Sequence, residues 1–116
     1  MAGILVHVAT GPENPTRAAL GLLVARTAAE EGHEVTVFLA GDAVHLAREA
    51  TAAAAQGIGT GSVAEHLEAL KAAGITIFLS GMSSKARGID GGEGFELVPP
   101  QKLVELATSA DTTLTY

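Results

Sequence analysis

Short runs that are apolar at nearly every position alternate along this chain with longer runs that are apolar at three- and four-residue steps. Ile4-Leu5-Val6-His7-Val8-Ala9, Val35-Thr36-Val37-Phe38-Leu39-Ala40 and Ile75-Thr76-Ile77-Phe78-Leu79 belong to the first kind. Near-continuous, β-branched runs of this length are the mark of strands buried on both faces. The first helix is bracketed by its punctuation: Asn14 supplies a side-chain cap, Pro15 fits the opening position, and Gly32 suits a left-handed terminus, giving about Pro15 to Glu31. Its Ala19, Leu20, Leu23, Val24 and Thr27 form the stripe predicted to face the sheet, widened by Ala18, Leu22, Ala25 and Ala29.

Further along, Gly41-Asp42 ends the second strand, and Asp42 is placed to cap a short helix through about Arg48. Alanine and glycine dominate from Glu49 to Gly61, which reads as a helical turn or two and then a flexible connection. Ser62 and Glu65 have capping-box spacing, Val63, Leu67 and Leu70 repeat on one face, and Gly74 closes that helix. The third strand stops at Ser80-Gly81-Met82-Ser83-Ser84-Lys85-Ala86-Arg87-Gly88, small and polar enough to predict a loop. After the glycine-rich Asp90 to Gly94, Phe95 to Val98 is a short strand or an extended link. Pro99-Pro100 then opens a helix to about Ser109, and Thr112 to Thr115 is a closing strand. Strands and helices in this order predict an α/β domain: three layers, α/β/α, with a mainly parallel sheet of about five strands, in one unit spanning residues 1–116.

Composition narrows the function. The 116 residues contain no cysteine, which excludes a thiolate metal site or a catalytic thiol on this chain. Seven Lys and Arg against thirteen Asp and Glu, with only Phe38, Phe78, Phe95 and Tyr116 as aromatics, argue against nucleic acid as a partner. No apolar run has the length of a membrane span, and the start lacks the basic region of a signal peptide, so a cytoplasmic protein is expected. A 47% hydrophobic fraction in so short a chain predicts burial against copies of itself.

Ligands of parallel α/β sheets gather beyond the carboxyl ends of the strands, where loops and helix starts converge. Three segments qualify: Thr10 to Arg17, Gly41-Asp42, and Ser80 to Gly88. Arg17, Lys85 and Arg87 lie in or beside them although the chain is acidic, which points either to an anionic ligand or to solvated charges balanced by Glu13, Asp42, Asp90 and Glu93. Gly11, Asn14, Arg17, Asp42, Ser80, Gly81, Met82, Ser83 and Lys85 are the candidate binding residues. Hydrolase, nucleotide-triphosphatase and dinucleotide motifs are all missing, so no cofactor is predicted. Ser80, Ser83 and Ser84 read as capping or turn residues ahead of nucleophiles, and a serine enzyme with His7 as base lacks an orienting acid. His7 reads as a hydrogen-bonded core residue or one reaching a subunit interface, and His33 and His66 as exposed helix-end or helix-face residues. Asp42 and His45 are three apart but have no third ligand, so no metal is predicted.

The segments His7 to Arg17, Glu31 to Asp42 and Ser80 to Ile89, with Gly57-Ile58-Gly59-Thr60-Gly61-Ser62 ahead of the capping box, resemble the DsrE/DsrF-like family over nearly the whole chain. That resemblance implies a three-layer α/β/α fold and a homotrimer or homohexamer. It also implies a relation to proteins that pass persulfide sulfur on a cysteine, a residue many small relatives carry where Ser80 stands. A hydroxyl cannot hold a persulfide, so the resemblance implies a scaffold without that reaction. The expectation is a protein that binds a small anion or a partner protein, or else an accessory subunit of a sulfur-relay complex.

Overall fold

β1 (Gly3–Val8) enters the centre of the molecule and is followed by α1 (Pro15–Glu30) and β2 (Glu34–Leu39). The computed structural model describes residues 1–116. A 3₁₀ helix (Gly41–Ala47), α2 (Glu49–Ala54), the two-residue strands β3 (Gln56–Gly57) and β4 (Gly61–Ser62), and α3 (Val63–Ala72) complete the first half. β5 (Ile77–Ser80), α4 (Gly81–Arg87), β6 (Phe95–Val98), α5 (Pro100–Ser109) and β7 (Thr112–Thr115) complete the second. The main sheet has the order β6-β5-β2-β1-β7 with every pair parallel, so the α/β architecture with five parallel strands holds.

Residues paired in register share a face, so the registers sort the two sides of the sheet. Val6 and Val37, then Val8, Leu39 and Leu79, lie under α1 and α3 in a core of 19 buried residues. Leu5, Phe38 and Val98 point the other way, where Leu103 and Leu106 of α5 cover them. Phe95 to Val98 is therefore a true strand at one edge of the sheet, and Thr112 to Thr115 forms the other edge.

Capping residues behave as their chemistry dictates. Asn14 Oδ1 accepts the Arg17 N–H at 3.2 Å, and Ser62 Oγ accepts the Glu65 N–H at 3.3 Å. The buried face of α1 differs from the expected stripe, however. Ala18, Ala19, Gly21, Leu22 and Ala25 are buried, whereas Leu20 is 37% exposed and Thr27 is also exposed. Closeness decides it: a Cβ on Gly21 would lie 3.0 Å from Val8 Cγ2 and 3.1 Å from Tyr116 Cδ2, so the helix seats its smallest side chains on the sheet.

Three other expectations are corrected. The segment before Ser62 is an ordered hairpin, with Gln56 paired to Ser62 and Thr60 Oγ1 donating to the Thr16 carbonyl at 3.0 Å. His66 is only 5% exposed, because its Nε2 sits 2.7 Å from the Thr60 carbonyl and holds that hairpin. His33 is half-buried, and its Nδ1 accepts the Ala2 N–H at 3.0 Å.

Candidate functional site

The strand ends after β1, β2 and β5 carry the three predicted turns, and backbone contact links the first two. Gly11 has no room for a side chain: a Cβ there would lie 2.1 Å from the Asp42 carbonyl oxygen and 2.6 Å from its carbon. The Gly11 N–H donates to Glu13 Oε1 at 2.9 Å, which closes the turn on itself. From the second turn, the Gly41 N–H donates to Ser83 Oγ at 2.9 Å and so reaches the third.

That third segment is a helix, α4, where a loop was expected. Serine and glycine are poor helix formers in isolation. Here the ends are secured: Ser80 Oγ accepts the Ser83 N–H at 3.2 Å, and Gly88 closes the helix with φ of 65°. Ser80 is thus the capping residue, Ser83 is the acceptor for Gly41, and Ser84 turns fully inside with no polar partner on its Oγ.

Asp42 does not cap the 3₁₀ helix, whose first residue follows Ala40 without a side-chain hydrogen bond. Its Oδ1 instead accepts from Arg87 Nε at 3.2 Å and Nη2 at 3.1 Å. Arg87 Nη1 also donates to the Ser83 carbonyl at 3.1 Å, and Arg48 Nη2 donates to the Arg87 carbonyl at 3.2 Å. Arg87 thereby joins the second turn to the third, while Arg48 satisfies a carbonyl at the end of α4. The Ser83–Arg87 spacing of four residues carried that signal once α4 is known to be a helix. Arg48, 39 residues away in sequence, left none.

Gly11, Asp42, Ser80 and Ser83 are therefore connected through one network. Asn14 spends its side chain on α1, and Gly81 lies against β6, where a Cβ would be 3.2 Å from the Val98 carbonyl. Arg17, Met82 and Lys85 are exposed on the flanks, with Met82 70% exposed. The nine predicted residues do not line the cleft of about 440 Å³ on the α2–α3 side, which is bounded by Leu46, Ala52, Leu67, Lys71, Glu93 and Phe95 among others.

His7 lies on the α5 side of the sheet, its ring 6.0 Å from that of Phe38 in an edge-to-face arrangement. The core hydrogen bond expected for it is missing at Nε2, which is buried without a partner. Desolvation lowers its pKa below the ordinary 6.5. Unfolded chains therefore bind the His7 proton at a pH where the folded protein does not. Stability falls as pH drops from 6.5 toward the depressed folded value. In urea unfolding followed by circular dichroism between about pH 7.5 and about pH 5, His7→Gln is expected to flatten this decline. Parallel curves for the two proteins would show that the ring is not desolvated.

No helix is long and apolar enough to cross a membrane. Among solved structures, the ychN protein from E. coli is similar, with a TM-score of 0.81 and 26% identity over 100% of both chains. A conserved protein of unknown function from Bacteroides thetaiotaomicron shares the fold at a TM-score of 0.68 and 15% identity, over 99% of this chain and 95% of that one. No curated protein matches. The profile of the DsrE/DsrF-like family matches residues 2–116, and the fold is shared with the ychN protein along the whole chain, so the chain belongs to the DsrE/DsrF-like family.

Proposed function

We propose that this chain is a homo-oligomeric cytoplasmic protein that binds a small anion at the rim formed by Gly11, Asp42 and Ser80 to Lys85, without cysteine-based sulfur transfer. One observation carries the reading. Five of the seven cationic side chains are engaged within the chain: Arg26 with Glu30, Arg48 and Arg87 at α4, Lys71 over the Phe95 ring and Lys102 with Glu105. Arg17, exposed in the first turn of α1, and Lys85, exposed in the last turn of α4, have no such partner. Unpaired cations on the two helices that leave the carboxyl edge of a parallel sheet suit an oxyanion.

Calorimetric titration with thiosulfate, sulfite and phosphate is expected to find a binder whose affinity drops about fivefold in Lys85→Ala and again in Arg17→Ala. Unchanged affinity in both variants would remove the assignment. The lack of a thiol in a family related to sulfur-relay proteins favours a second reading, an accessory subunit whose partner supplies the cysteine. Pull-downs that return only this chain would remove it.

A further inference from the structure

We infer that two copies of this chain pair through the outer stripe of α1, antiparallel and centred on Val24 about a two-fold axis. The inference rests on the homo-oligomer proposed above and adds its surface and symmetry. α1 gathers Thr16, Arg26, Thr27 and Glu30 on one side, and the rest of its surface is apolar apart from Arg17. Its sheet side is buried, yet on the opposite flank Leu20 is 37% exposed and Val24 and Ala28 are only half-buried. An apolar flank lying outside both the buried side and the polar strip of a helix is ordinarily covered by a partner.

The order of residues on that flank names the occupant. Arg17, Leu20, Val24, Ala28 and Glu31 follow one another at steps of three, four, four and three, which confines them to about 80° of the helix circumference. The steps read the same from both ends. Two such stripes laid antiparallel set Val24 on Val24, Leu20 against the small Ala28, and Arg17 against Glu31, twice by symmetry. Neither Arg17 nor Glu31 forms an ion pair within its own chain. Parallel pairing would instead oppose like charges and align the helix dipoles. Arg17, with five N–H donors, can serve Glu31 of a second copy while still facing an anion at the rim.

Apolar surface continues beyond the helix. Tyr116 packs where a Gly21 Cβ would be, and two residues back along β7, roughly 6.6 Å, is level with four residues on along α1, roughly 6 Å. That places Leu114, 36% exposed, level with Val24 and Ala25. One helix pair is smaller than the roughly 800 Å² per partner of a stable isolated dimer, so this contact fits one junction in a larger assembly. A two-fold axis exists in a closed homohexamer and is absent from a homotrimer.

Sedimentation velocity on the full chain tests the pairing. Leu20→Glu is expected to raise the dissociation constant of the junction about 100-fold and halve the particle mass. Arg17→Glu is expected to raise it about tenfold, and the exchange Arg17→Glu with Glu31→Arg to return it to within about threefold of wild type. Circular dichroism reports folding, and should Leu20→Glu not fold, the charge exchange decides alone. A wild-type assembly whose mass survives both Leu20→Glu and Arg17→Glu overturns the inference and leaves the homo-oligomer standing. A monomeric wild type overturns both.

Discussion

Gly11→Ala is expected to lose about 3 kcal/mol or more of folding stability, a drop of about 12 °C in melting temperature. The cause is spatial. The new methyl would lie 2.1 Å from the Asp42 carbonyl oxygen, 2.6 Å from its carbon and 3.1 Å from the Ala43 nitrogen, all backbone atoms that no side-chain rotation can clear. Relief requires moving the turn after β1 away from the turn after β2, and those turns are anchored: the Ala40 N–H donates to the Val8 carbonyl at 2.9 Å, and the Gly41 N–H to Ser83 Oγ at 2.9 Å. Gly3→Ala is the control, since its nearest neighbour would be Asp111 Oδ2 at 3.6 Å, an ordinary contact. That change should stay within about 0.5 kcal/mol of wild type. Ser83→Ala, which leaves the part-buried Gly41 N–H without its acceptor, should fall between them at about 1–2 kcal/mol. Thermal melts of the three variants give the ranking directly. If Gly11→Ala melted beside Gly3→Ala, the first two turns would not touch, and the rim that supports the proposed binding site would not exist.

The parts of this fold that local chemistry decides were legible in the sequence, and the parts that closeness decides were not. Continuous β-branched runs announced the central strands because both faces are covered. Asn14 and Ser62 announced helix starts because an oxygen at the cap position satisfies a specific orphan N–H. The buried side of α1 was illegible because apolar residues recur all around it, so periodicity offers no contrast. The choice fell to Gly21, whose lack of a side chain matters only once Val8 and Tyr116 lie opposite. His66 was missed for a similar reason, since nothing local reveals that Thr60, six residues earlier, turns its carbonyl back onto the ring. At the rim, the position of the three turns followed from topology, but the roles did not. Asp42 was read as a cap and is instead the carboxylate that holds Arg87, 45 residues on, an assignment visible only after α4 forms as a helix.

Ser80→Cys carries the second large expectation, a gain of reactivity from none. Ser80 closes β5, pairs in register with Val98, and accepts the Ser83 N–H on its side-chain oxygen at the start of α4. Sulfur in place of that oxygen meets the same donor, and an N–H directed at it favours the thiolate. The site is half-buried, so the thiolate stays reachable. The introduced thiol is expected to react with iodoacetamide about tenfold faster at neutral pH than an unperturbed cysteine. It should also accept sulfur from inorganic polysulfide: the thiolate attacks a polysulfide sulfur, a protein–sulfur bond forms as an S–S bond breaks, and the shortened polysulfide leaves with the electron pair. Intact mass would then rise by one or more sulfur atoms in the variant and remain unchanged in the wild type, which has no thiol. A thiol that reacts only after unfolding would mean that the α4 turn shields its capping residue, and sulfur uptake on this scaffold would then depend on more than the identity of one atom at the end of β5. Uptake at the expected rate would locate the difference between this chain and a sulfur carrier at Ser80 alone, with the supporting hydrogen bond already in place.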